Sequence, residues 1–203
     1  VVSPFVDFMT RPQWLVILLF IVFYKLGDSM AGVMTGYFMV ELGFTNSEIG
    51  SVGKIVGIGA SILGFIFGGL LIDRLGMLWA LWICGGVQML SNLMFVLQAL
   101  VGHDMGMLAL AVGVENLAGG MGTAALVAYL TGLCNLAYTA TQYALLSSVA
   151  SIGRTFLAAP AGRLAEMMDW APFFLVTTLA ALPGLALLLW LTVAHRRSST
   201  RLL

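Results

Sequence analysis

The sequence predicts an all-α membrane protein with six transmembrane helices, and three observations carry that prediction. Hydrophobic residues fill 61% of the 203 positions and charged residues only 9%, where a soluble domain carries roughly 25% charged. Too few charges remain to cover a water-facing surface. Mean hydropathy is +1.03, and six apolar stretches each reach the about 20 residues that a membrane-spanning helix needs. These stretches are too continuous for barrel strands, which alternate over about ten residues, and lipid offers an unpaired backbone no partners.

The spans fall at about 13–39, 48–72, 77–100, 106–130, 138–162 and 172–194, joined by short polar loops with no linker or low-complexity stretch, so residues 1–203 read as one domain. The first span carries Lys25 and Asp28 within Tyr24-Lys25-Leu26-Gly27-Asp28. A charge inside a span costs about 2.5–3.5 kcal/mol on insertion scales. A spacing of three puts both on one helix face, where they can pair. Two readings stand: a structural ion pair, or a proton-responsive carboxylate poised by Lys25. The second span carries Lys54 about two turns from one end, where its stem can snorkel. In the third, Gln88, Ser91 and Asn92 form a polar patch suited to hydrogen bonds between helices.

The fourth span contains Glu115-Asn116-Leu117-Ala118-Gly119-Gly120-Met121-Gly122. Desolvation favours the neutral form of a buried carboxyl, which makes Glu115 a candidate proton carrier. Asn116 offers donors and an acceptor to a sugar or an amide. The bland reading is a polar packing node. The fifth span has a polar stripe in which Tyr138, Gln142 and, further along, Ser151 or Arg154 share broadly one face, as along a water-filled path. Arg154 is a candidate for holding a substrate carboxylate, or alternatively pairs with Glu115 or another internal acid. Pro160, Pro172 and Pro183-Gly184 mark helix ends or kinks in the last two spans. Small residues four apart, including Gly32/Gly36, Gly53/Gly57, Gly64/Gly68, Ala118/Gly122 and Ala180/Gly184, predict close helix packing.

Between the second and third spans stands Gly69-Leu70-Leu71-Ile72-Asp73-Arg74-Leu75-Gly76. Gly69 would permit a close helix contact, Asp73 would cap a helix terminus or bind an internal Arg, Arg74 would anchor the turn, and Gly76 would allow a tight reversal. The pattern matches Gly-x-x-x-Asp-Arg-x-Gly, the cytoplasmic motif of major facilitator transporters. The basic residues that usually follow are replaced by Met77 and Leu78. Arg11, Arg74, Arg196, Arg197 and Arg201 fall on one side and Arg163 on the other. By the positive-inside rule both ends and the Arg74 loop are cytoplasmic.

Formal net charge is +0, so no basic face points to nucleic acid. Cys84 and Cys134 lack partners at metal-ligand spacing and read as reduced packing residues; no metal or cofactor is predicted. His-Glu-x-x-His and Gly-x-Ser-x-Gly are absent, and Gly27-Asp28 lacks a second aspartate motif, so the sequence does not read as an enzyme.

The blocks Tyr24 to Asp28, Glu115 to Thr123, Leu133 to Asn135 and Ala140 to Ser147, with Gly153-Arg154, Pro160-Ala161-Gly162 and Pro183-Gly184-Leu185, resemble the AmpG-type muropeptide permeases, a branch of the major facilitator superfamily. The likeness runs from Trp14 to Trp190. It implies one half of a major facilitator fold, the C-terminal six helices of a twelve-helix core, with the transport site between two lobes. It further implies proton-driven import of GlcNAc-1,6-anhydroMurNAc and its peptides across a bacterial inner membrane for cell-wall recycling. A related branch is associated with acetyl-CoA, so another cargo is the alternative. The opening Val1-Val2-Ser3-Pro4, with no initiator Met, suggests a fragment whose partner lobe lies upstream; an inactive truncated product is the remaining alternative. The expected partners are the glycopeptide, protons, membrane lipid and that missing lobe. The expected site comprises Lys25, Asp28 and Glu115 for proton coupling, Asn116, Tyr138, Gln142 and Arg154 for cargo, and Gly69, Asp73, Arg74 and Gly76 for gating.

Overall fold

The computed structural model describes residues 7–10 and 13–200, with side chains up to Ala194. Among the described residues, six helices are long and apolar enough to cross a membrane: α1 (Trp14–Glu41), α2 (Asn46–Leu75), α3 (Met77–Val101), α4 (Met105–Leu133), α5 (Thr139–Met167) and α6 (Trp170–Ala194). Among the described residues there is no strand. All six expected spans are present, within a few residues of their expected ends. Six crossings return the chain to the side on which it started. The arginine asymmetry cannot be followed through the structure, because Arg11 and Arg201, and the side chains of Arg196 and Arg197, lie outside the described residues.

Helices α1, α3 and α4 form the interior of the bundle, while α2 turns most of its surface outward. Ile55, Ile58, Ile62, Phe65 and Ile66 are among its exposed side chains. The tightest seam runs between α2 and α4. There Gly64 lies against the Leu117 carbonyl and Gly120, and Gly120 in turn against the Ser61 carbonyl. Gly184 of α6 lies against Phe23 and Tyr24 of α1 in the same way. These are the small-residue contacts that bring helix backbones together in lipid. Gly32 and Gly36 behave differently: a side chain on either would meet nothing within 4 Å.

Several spans are interrupted along their length. Helix α1 breaks at Tyr24–Lys25, α3 at Asn92 and α6 at Ala181, while α2 carries a π-helical turn at Gly53–Gly57. The α6 break sits beside Pro183, whose missing N–H removes one helical bond. It meets the other two, since the Cα of Gly27 faces Asn92, Ala181 and the Thr177 carbonyl. The apolar core is split at this level. One cluster gathers Met30, Phe38, Phe95, Leu108, Phe173 and Phe174. The other gathers Phe20, Tyr24, Leu81, Met121, Leu146 and Leu188. Polar side chains lie between them.

At the loops, Gly76 holds φ +81 and joins α2 to α3, a left-handed conformation that costs glycine little. The turn into α2 is closed by a capping box: Glu48 N–H donates to Thr45 Oγ1 at 3.3 Å and Thr45 N–H to Glu48 Oε2 at 2.8 Å. Thr45→Ala is expected to lower stability by about 1 kcal/mol, measured as a fall in the unfolding temperature of the detergent-solubilised protein.

Candidate functional site

The polar layer between the two apolar clusters is built by α1, α3 and α4. The break in α1 creates an internal helix start at Leu26, and Asp28 lies in its first turn. The positive end of the helix dipole favours a carboxylate there. Lys25, at the break itself, approaches Asp28 Oδ2 to 3.9 Å, with the two side chains only 11% and 15% exposed. Lys25 Nζ also crosses to α4, donating to Thr123 Oγ1 at 2.7 Å and to the Gly119 carbonyl at 3.3 Å. The expected pairing of Lys25 with Asp28 is therefore present, as part of a network joining two helices.

Helix α3 supplies the links. Gln88 Nε2 donates to Asp28 Oδ2. Ser91 Oγ lies 2.6 Å from Glu115 Oε2 and 2.8 Å from the Gln88 carbonyl, sharing its one proton between them. Asn116 follows on α4, its Oδ1 accepting from Ser61 Oγ of α2 at 3.1 Å and its Nδ2 donating to the Val112 carbonyl at 2.8 Å. Glu115 and Asn116 border a cleft of about 310 Å³ whose floor includes Gly32, Gly36 and Gly53. The open face of Gly32 and Gly36 is the face that lines this cleft.

Other expected site residues lie elsewhere. Gln142 is fully buried near the α4–α5 loop, where its Oε1 accepts from Asn135 N–H at 2.6 Å and its Nε2 donates to Asp7 Oδ2 at 2.8 Å. Tyr138 stands at the start of α5, partly exposed. Arg154 does not pair with Glu115; its Nε donates to the Ala150 carbonyl at 3.2 Å and its Nη2 to Ser151 Oγ at 3.3 Å. Thus Tyr138, Gln142 and Arg154 do not converge on the Glu115–Asn116 cleft.

In the α2–α3 motif, Asp73 and Arg74 are exposed. A Cβ at Gly69 would meet nothing within 4 Å, so Gly69 makes no close helix contact among the described residues. Gly76 makes the expected reversal. Lys54 lies exposed on the π turn of α2. Of the two thiols, Cys84 is buried and Cys134 donates to the Leu130 carbonyl at 3.2 Å. Gln88 and Ser91, expected only to bond between helices, turn out to hold both acids of the site. Their signal in the sequence was an i, i+3 polar pair on an otherwise apolar helix.

Six apolar helices closed around a buried network of one lysine and two carboxyl groups define a polytopic membrane protein of the transporter kind. Residues 17–202 match the Major Facilitator Superfamily, and the chain belongs to that family. It is 43% identical over 190 residues to the anhydromuropeptide permease of Escherichia coli K12, covering 93% of this chain and 39% of that protein. It is 41% identical over 191 residues to putative transporter AmpG 4 of Rickettsia conorii, covering 94% of this chain and 46% of that protein. Putative transporter AmpG 1 of Rickettsia prowazekii is 35% identical over 175 residues, 86% of this chain and 40% of that protein. The chain therefore spans less than half the length of these curated relatives.

Proposed function

We propose that this chain is the C-terminal lobe of a proton-coupled importer of GlcNAc-1,6-anhydroMurNAc and its peptides, working with a second six-helix lobe in a bacterial inner membrane with both ends of the segment in the cytoplasm. The likeness to a permease named for anhydromuropeptides, over nearly all of this chain, carries the cargo. The buried carboxyls of Asp28 and Glu115 support the coupling, since ionisable groups held inside a membrane mark ion and proton pathways. The cleft beside Asn116 supports a polar cargo, because its amide and the Ser61 hydroxyl are donors and acceptors suited to sugar hydroxyls. Protonation of either carboxyl would remove a charge from the polar layer and bias one lobe packing over another.

The test is uptake of labelled GlcNAc-anhydroMurNAc peptide by cells that lack their own permease and express the full reading frame containing this chain. Uptake that an uncoupler abolishes is the expected result. Gly36→Leu, whose Cβ would meet nothing within 4 Å and whose side chain would enter the cleft, should cut uptake at least tenfold while leaving membrane levels unchanged. Protein present in the membrane with no uptake of this cargo would overturn the assignment.

A further inference from the structure

We propose that Gln88, seated by Gly122, is a positioning residue that holds Asp28 from α3 while Ser91, one turn along, holds Glu115, so that the seating of α3 between α1 and α4 sets the titration of the acids. This rests on the proton-coupled reading above.

Gln88 is 2% exposed, and one end of its amide is committed to Asp28. Its Oε1 is buried with no hydrogen-bond partner. A buried acceptor left unpaired is costly, and an apolar side chain of similar volume would pack there without that cost. The amide is therefore suited to holding Asp28 rather than to stabilising the core. Its seat is shaped for it. A Cβ on Gly122 would lie 2.8 Å from Gln88 Cδ and 3.1 Å from its Nε2, so the amide lies against bare α4 backbone at the last glycine of the Gly119-Gly120-Met121-Gly122 run. One turn along α3, Ser91 divides its proton between Glu115 and the main-chain carbonyl of Gln88, a bond independent of the amide. A shift of α3 against α4 thus moves the partners of both acids together.

Among the described residues, the charged and titratable groups around Gln88 and Ser91 are few. Helix α1 contributes Lys25, Asp28 and the Tyr24 hydroxyl, which donates to the Leu81 carbonyl at 3.0 Å. Helix α4 contributes Glu115 and α5 contributes Arg154. Helix α3 adds only the Cys84 thiol, α6 carries no charged residue from Trp170 to Ala194, and Lys54 of α2 is exposed. A donor facing a carboxylate favours its charged form, so loss of the Gln88 amide must change the pH at which Asp28 titrates.

The test uses the full reading frame and four variants: Gln88→Leu, Gln88→Ala, Gly122→Ala and the double Gln88→Ala/Gly122→Ala. Two readouts are taken. One is the pH profile of uptake; the other, independent of any cargo, is the carboxyl stretching band of the purified protein in an infrared pH titration. Gln88→Leu and Gly122→Ala should each displace both titrations by about one pH unit, the size expected for one hydrogen bond to a charged group. In the Gln88→Ala background the methyl at 122 has room, so Gly122→Ala should add nothing. If Gly122→Ala alone accumulates poorly, the double variant should recover its level. Titrations unmoved by Gln88→Leu, or a Gly122→Ala effect that persists when the amide is gone, would overturn the proposal. Infrared bands that answer to Gln88 in a protein without uncoupler-sensitive uptake would sink the coupling reading and leave the positioning role standing.

Discussion

Lys25→Met is expected to destabilise the protein by about 3–5 kcal/mol, the cost of stranding a buried charge without its partner. Asp28 would keep its bond from Gln88 but lose the nearby ammonium, and Thr123 and the Gly119 carbonyl would lose their donor. Lys25→Met/Asp28→Asn should recover most of that loss, because a neutral amide replaces the stranded charge. The measurement is the unfolding transition in detergent of the single and double variants beside the parent. The pair of results separates the two readings that the sequence left open for these residues. A large single effect with recovery in the double variant, but no transport by the double variant, assigns both roles at once: the ion pair stabilises the lobe, and its carboxyl is needed for the cycle. A double variant that both folds and transports leaves the pair structural. A single variant as stable as the parent would show that water reaches Lys25 and Asp28 despite their burial.

The sequence carried the spans well because hydropathy over about 20 residues reports the length of a lipid crossing directly. It also carried the closeness of Lys25 to Asp28, a matter of helical spacing. The breaks at Asn92 and in α1 at Tyr24–Lys25 were not legible: neither sits at a proline, and an apolar window averages over a single lost turn. Missing the α1 break meant missing that Asp28 begins a new helix. The links from Gln88 to Asp28 and from Ser91 to Glu115 join residues 60 and 24 positions apart, and no local pattern names such partners. The fifth-span stripe shows the opposite error. Gln142 and Arg154 do lie on one helix, with Tyr138 just before its start, but α5 runs through the whole bundle. Gln142 is taken up near one end by Asn135 and Asp7, while Arg154 lies just over three turns further on, bonded to its own helix. Spacing along a helix gives a face; it does not give the depth at which other helices meet that face.

The small-residue pairs looked alike in the sequence, and their surroundings now separate them into a prediction. Gly64→Ala should lower stability by about 1–3 kcal/mol, and Gly120→Ala by a similar amount, as overpacking in a closed seam does. A methyl at Gly64 would stand 3.0 Å from the Leu117 carbonyl carbon and 3.1 Å from Gly120 Cα; one at Gly120 would stand 2.5 Å from the Ser61 carbonyl oxygen. Backbone cannot rotate out of the way as a side chain can, so α2 must move off α4. That movement reaches the site, because the 3.1 Å bond from Ser61 to Asn116 crosses the same seam. Uptake should therefore fall further than membrane levels do. Gly59→Ala is the control: nothing lies within 4 Å of its added methyl, and exchanging a mid-helix glycine for alanine favours the helix by about 0.5–1 kcal/mol. Unfolding temperatures of the three variants decide the matter. If Gly64→Ala is as stable as Gly59→Ala, then α2 and α4 do not meet as closely as their backbones indicate, and the position of Asn116 beside the cleft would have to be redrawn with them.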